Sequence, residues 1–239
     1  MKATLKPLTL AAAIAACVVG TQAHAYEAGD FIARAGVTTV APDGDSTQVF
    51  VNGGSLGADS GVDVDNDTQL GLTFTYMLDQ SWGVELLAAT PFSHDASGKG
   101  SFLNTRGVGS VADTKQLPPT LSAVYYFNSE SAFKPYVGLG LNYTFFFDEE
   151  GGANLEAGAG DLDVDLDDSW GLAAQVGFDF DLGNNLLLNA SVRYIDIDTE
   201  ATLTVKDGSN ALGLPQGARI TTDVDIDPMV YSVMIGYKF

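Results

Sequence analysis

The sequence is poor in cysteine, histidine, basic residues and long apolar runs, and each shortage closes off a class of function. One cysteine, Cys17, stands among 239 residues, in an apolar stretch near the start. The rest of the chain therefore has no disulfide framework and no thiol chemistry. The two histidines, His24 and His94, belong to no cluster with zinc-ligand spacing, and no metal is expected. His94, beside Asp95, reads as a solvated loop residue. No nucleophile motif surrounds any serine, so no catalytic residue and no cofactor is expected, and the chain does not read as an enzyme. Eleven basic residues stand against 31 acidic ones, a formal net charge of −20. A surface of that sign repels phosphate backbones and excludes nucleic acid as a partner. Beyond the first two dozen residues, no stretch approaches the ~20 apolar residues that a transmembrane helix needs.

The chain starts with an address. Lys2 and Lys6 precede an apolar run over 8–19, followed by Ala23, His24 and Ala25. This predicts a secretory signal peptide over 1–25, cut before Tyr26, and a mature domain over 26–239. "IAAC", 14–17, resembles a lipoprotein cleavage box, but Val18 and Val19 carry the apolar run past that cysteine. Loss of Lys2 and Lys6 takes the basic count from 11 to 9 against the same 31 acids, a mature charge of −22.

The strongest pattern is period-two alternation in segments of about ten residues, the span of a tilted membrane strand. Eight segments show it. Phe31, Ala33, Ala35 and Val37 share a face in the first, and Leu70, Leu72, Phe74 and Tyr76 in the second. Val137, Leu139, Leu141, Tyr143 and Phe145 do so in the fifth, and Tyr231, Val233, Ile235, Tyr237 and Phe239 in the last. The opposite faces are polar or small. Connections over 78–81, 128–132 and 181–185 are short; those over 42–66, 93–117, 147–168 and 196–227 are long. Aromatics gather at both ends of the apolar faces, as at the two interfaces of a bilayer. A soluble sandwich can alternate too, but it has no reason to sort aromatics by depth. The expected fold is all-β: an eight-stranded, antiparallel, up-and-down transmembrane β-barrel in the bacterial outer membrane, both termini periplasmic. Its partners would be outer-membrane lipid and lipopolysaccharide. The bare terminal Phe239 looks like the signal that the barrel-assembly machinery reads.

Sorting inward residues by height suggests a division. Arg34, Glu85, Asp179, Asn189 and Lys238 lie near the short turns and would form a polar plug at the periplasmic end, because buried charges must pair. Leu87, Ala89, Gly138, Gly140, Ala173 and Val230 lie higher, small or apolar, and would leave room for a greasy solute; the bland reading is that small residues fit a tight barrel. "ELLAATPF" carries a proline in a good strand. Pro91 lies nine residues above Trp82, ~23 Å up at ~3.3 Å per residue and a tilt of ~40°. Pro118 and Pro119 open the neighbouring strand at a similar height. Three missing N–H groups would then face one seam beside Ala89. On the residues alone, the plainer reading is that these prolines merely end two strands.

"AGDFIARAG", "DTQLGLTFTYM", "GVELLAATPF", "LPPTL", "KPYVGLGLNYTFF", "DSWGLAAQVGFD" and "DIDTEA" occur in order and resemble the OmpW family of outer-membrane proteins. The resemblance implies an eight-stranded barrel with a narrow apolar lumen. It also implies passive uptake of small, mainly hydrophobic molecules with lateral release through the wall, and so favours an opening at Pro91, Pro118, Pro119 and Ala89. It places the lumen constriction at Leu87 and Trp170, although Trp170 faces outward by strand parity. The alternatives are a surface receptor or adhesin acting through acidic external loops, and a channel for small polar solutes such as amino acids. "DLDVDLDD", 161–168, fails as an EF-hand, because Leu166 and Leu172 stand where glycine and glutamate are required; a solvated loop is the expectation.

Overall fold

The computed structural model describes residues 25–43, 45–46, 48–105, 107–127, 131–206 and 211–239. The expected signal segment lies outside them except for Ala25, as do residues 128–130 of the second short connection.

The first strands are β1 (Phe31–Ala41), β2 (Asp45–Ser46), β3 (Phe50–Val51), β4 (Gly54–Ser55), β5 (Gly61–Val64) and β6 (Asp67–Met77). Then come β7 (Trp82–Ala89), β8 (Phe92–Lys99), helix α1 (Ser101–Thr105), β9 (Ser110–Leu117), β10 (Thr120–Tyr126) and β11 (Phe133–Gly151). Helix α2 (Ala153–Ala159) leads to β12 (Leu162–Leu166), β13 (Ser169–Gly183), β14 (Leu186–Ile195), β15 (Asp198–Val205), β16 (Arg219–Asp225) and β17 (Met229–Lys238). Among the described residues no helix is long and apolar enough to cross a membrane.

Eight strands close a ring in the order β1–β6–β7–β10–β11–β13–β14–β17, with β17 back on β1, every pair antiparallel. These are the eight segments the alternation marks. Phe239 helps shut the ring: its N–H donates to the Phe31 carbonyl at 2.8 Å. Outward residues form an apolar band, in which Leu139 is 72 % exposed and Val233 and Ile235 are also open. A row so bare to its surroundings is stable against lipid and costly in water. Rings rim the band. Trp82, Tyr125 and Phe127 pack edge to face in series near the short turns, and Trp170, Tyr143 and Phe145 pack at tilted angles near the long connections.

The long connections are not loops. β5, β8 and β9 extend the barrel wall upward alongside β11, whose 19 residues far exceed the ~10 that span a membrane. A second sheet, β12–β15–β16–β3–β4 with β2 on β16, faces them. Between them lies an apolar core of Val49, Leu103, Val108, Leu155, Leu203 and Ile220, among others. The expectation of solvated acidic loops is corrected here. In β12, Leu162 and Val164 turn inward while Asp163 and Asp165 face out; β16 repeats this with Ile220 and Val224 against Asp223 and Asp225. These acids are the wet faces of amphipathic strands.

Inside the barrel, small residues do not leave the space expected of them. A Cβ on Gly140 would lie 2.7 Å from the Leu121 carbonyl oxygen and against the Ser122 hydroxyl; one on Gly138 would lie 2.8 Å from the Gln175 side chain. Gly138 and Gly140 are where the wall admits neighbouring side chains, not room for a solute. Gly140→Ala is expected to destabilise the barrel by about 1–3 kcal/mol, because backbone must move. Urea unfolding in lipid vesicles measures this.

Candidate functional site

The barrel interior divides into three levels: a charged plug near the short turns, an apolar floor above it, and an apolar chamber among the long connections.

Arg34, on β1, organises the plug. Its Nε and Nη2 donate to the Asp179 carboxylate of β13 at 3.0 and 2.6 Å. Nη1 donates to Thr75 at 2.8 Å and to Glu85 of β7 at 3.3 Å, and Nη2 donates to the Tyr126 hydroxyl at 2.7 Å. Glu85 is shared: Gln175 Nε2 and Arg193 Nη2 each donate to its Oε1 at 2.9 Å. Two arginines thus balance two carboxylates, all essentially buried. A planar guanidinium suits this work because its fork matches a carboxylate bidentately. The plug extends downward through Tyr26, whose hydroxyl donates to Asp179 at 2.7 Å and whose ring packs on Tyr126.

The structure brings together Arg34, Glu85, Asp179 and Asn189, which donates to Asp179 at 2.9 Å. Lys238 does not join them. Its strand ends at the rim, where its ammonium pairs with Asp30 at 3.2 Å and stays partly exposed. Sequence reasoning missed Arg193, Gln175, Tyr26, Tyr126 and Lys134. The Lys134 ammonium is buried over the Tyr26 ring, 5.4 Å from its centroid, with no hydrogen-bond partner among the described residues.

The floor is apolar. Phe92, 1 % exposed, packs with Val40, Ala173, Ile195, Ile197, Val224, Ile226 and Val230, with Ala89 against the cluster. Leu87 is buried and inward at the register of Thr120. Trp170 does not line this lumen. It sits opposite Tyr143 in an unbroken β11–β13 register, which keeps its parity outward, and it is 75 % exposed. An indole there belongs to the aromatic belt at the membrane interface.

The seam lies beside the floor. β7 pairs with β10 up to Leu87 opposite Thr120, and pairing resumes with Phe92 of β8 opposite Gln116 of β9. Four residues, 88–91, thus face three, 117–119, and the ladder slips by one. Parity also corrects the count of missing donors. The Pro119 carbonyl accepts from the Tyr143 N–H at 3.1 Å, so Pro119 faces β11. Pro118, one residue away, faces the seam. Across it, the Thr90 N–H turns to Leu70 on β6, which leaves Pro91 to the seam. Two missing N–H groups, not three, face the break.

Above the floor is an apolar cavity of about 160 Å3 between the two upper sheets, lined by Val64, Phe146, Leu155, Val164, Leu203 and Ile226, among others. His94 is no solvated residue: it is 2 % exposed and lines this cavity with Gln116. The alternation that buries it, Phe92–His94–Ala96, is legible only once the strand is seen to continue past Pro91.

Where β14 gives way to β15, Asp196, Asp198 and Asp227 bring carboxylate oxygens within 4.8 Å of one another, and Asp198 sits directly opposite Asp225. Burial, then Asp196, Asp225 and Asp227, raise the Asp198 carboxyl above its ordinary range. The folded state therefore holds that proton more tightly than the unfolded chain, and stability here falls as pH rises through the carboxylate range. Asp198→Asn is expected to slow amide exchange of β15 and β16 at pH 7. The gain should vanish below about pH 3, where an ordinary aspartate is itself protonated.

The model of the OmpW family matches residues 27–239. Outer membrane protein W of Vibrio cholerae is 45 % identical over 241 residues, covering 100 % of both chains. The crystal structure of the outer membrane protein OprG from Pseudomonas aeruginosa superposes with a TM-score of 0.79 at 47 % identity, covering 90 % of this chain and 97 % of that one. The solid-state NMR structure of AlkL in DMPC bilayers gives a TM-score of 0.61 at 28 % identity, covering 92 % and 95 %. With its closed eight-stranded wall and lipid-facing apolar band, the chain belongs to the OmpW family of Gram-negative outer-membrane β-barrels.

Proposed function

We propose that the protein is a passive conduit that takes small, mainly hydrophobic molecules from the external face and releases them sideways into the bilayer. Both termini and the plug then face the periplasm, the upper sheets stand among lipopolysaccharide, and the exposed Phe239 is available to the assembly machinery. One observation carries the reading: an apolar cavity sits above a charge-balanced plug and a break in the ladder, which we read as a window. A solute in the chamber cannot continue downward, because the plug offers it only paired charges. It can leave at the height of Pro91, Pro118 and Ala89, where the wall lacks two ladder donors. An unsatisfied backbone is intolerable in hydrocarbon unless it lines a cavity, so a break at this depth suits a passage. A channel for amino acids would need a wetted lumen, and an adhesin would need no buried chamber.

Pro91→Ala/Pro118→Ala restores both donors and should let β7 and β10 zip upward. Uptake of toluene into lipopolysaccharide-bearing vesicles is expected to fall severalfold, with glycine excluded before and after. Unchanged toluene uptake would remove the window from the mechanism.

A further inference from the structure

We infer that His94 and Gln116 form a hydrogen-bonding anchor within the chamber, which selects apolar molecules carrying one hydroxyl or N–H donor. The inference rests on the chamber proposed above as the solute's resting place.

His94 Nδ1 lies 2.8 Å from the Asp65 main-chain oxygen. A carbonyl only accepts, so Nδ1 carries the hydrogen and, in the neutral ring, Nε2 is an acceptor. Gln116 Nε2 lies 2.9 Å from that nitrogen and must donate to it. With the ring neutral the amide cannot turn over, because its oxygen would then meet the imidazole lone pair. Gln116 Oε1 is thereby fixed as the free end. It is buried, lines the cavity, and has no hydrogen-bond partner among the described residues. Phe92 stacks on the His94 ring at 6.5 Å between centroids and fixes it from below.

A buried acceptor without a donor is costly, and natural cores rarely keep one. The rest of the lining is mostly aliphatic or aromatic, with Val64, Ala96, Phe146, Val224 and Ile226, and the hydroxyls of Thr199 and Thr222 in it donate to main-chain carbonyls. A molecule with a hydrocarbon body and one terminal hydroxyl satisfies both features. Ethers and ketones of the same size bring a second acceptor and are disfavoured. An apolar cavity of this order admits a benzene-sized ring, so phenol and toluene are matched probes: the same ring, with a donor or a methyl group.

The test titrates each probe into the full-length barrel in lipid nanodiscs, following the methyl resonances of Val224 and Ile226. The toluene-to-phenol ratio of dissociation constants is expected to be about tenfold larger in the wild type than in Gln116→Leu, the worth of one neutral hydrogen bond. Comparing the ratio across variants cancels the probes' different partitioning into lipid. Gln116→Met serves if the leucine variant fails to fold, and in the wild type phenol should shift the Gln116 side-chain amide where toluene does not. Equal ratios, with both probes binding, would overturn the anchor and leave the chamber standing. No shift of the cavity methyls with either probe would overturn both.

Discussion

Arg34→Met is expected to destabilise the folded barrel by about 3–5 kcal/mol, the cost of leaving one member of a buried ion pair uncompensated. Arg34 supplies both fork bonds to Asp179, one bond to Glu85, and bonds to Thr75 and Tyr126. Without it Asp179 keeps only Tyr26 and Asn189, neither of them charged. Glu85 keeps Arg193 and Gln175 and should suffer less. The double variant Arg34→Met/Asp179→Leu separates charge pairing from packing. It removes a cation and an anion together, and apolar replacements of buried pairs are often neutral or stabilising. It should recover most of the loss. Reversible urea unfolding in vesicles, read by tryptophan fluorescence, measures both. A double variant as unstable as the single one would mean that the plug is held by shape, and the balance of two arginines against two carboxylates would lose its significance. The single variant should also pass small ions in a planar bilayer, since two anions would then line a space that the guanidinium had filled.

The contrast between plug and wall shows what a sequence exposes. On β13, Leu172, Ala174 and Val176 alternate with Ala173, Gln175 and Gly177, and period two assigns each to its face without reference to any other strand. The same parity sends Trp170 outward, and the structure keeps it there; only the family resemblance points the other way. Arg34, Glu85 and Asp179 were legible as inward charges at one height, because each lies a few residues from the short-turn end of its strand. Arg193 was not. Its partner Glu85 stands 108 positions away on a strand across the barrel, and their meeting depends on strand stagger, which alternation does not encode. The upper sheet was hidden in a different way. "DLDVDLDD" alternates as cleanly as any barrel strand, but its dry face is two or three residues long and its charge resembles solvated loop. His94 was misplaced for want of continuity: the Pro91 break separates β7 from β8, and the strand that buries the ring begins on the far side.

Phe92→Ala is expected to raise toluene uptake ten- to hundredfold while leaving ion conductance at its wild-type level. Phe92 is buried in the floor between the chamber and the window, packed on Val224, Ile226 and Val230 with Ala89 alongside. For a solute to reach the seam, this ring must swing out of its packing. Uncovering a side chain of that size costs about 1.5–3 kcal/mol, and each ~1.4 kcal/mol taken from a barrier is tenfold in rate. Alanine removes the ring and with it that step. Ion conductance should not respond, because the two arginines and two carboxylates below remain paired. Truncation also carries a stability cost of about 3–5 kcal/mol, so the vesicles must be assayed well below the variant's melting range. Combining Phe92→Ala with Pro91→Ala/Pro118→Ala then orders the two steps. If the solute crosses the floor and leaves through the window, closing the window abolishes the gain. If the gain survives, the solute leaves the chamber by another opening. If Phe92→Ala instead raises ion and toluene flux together, the floor, not the plug, seals the barrel.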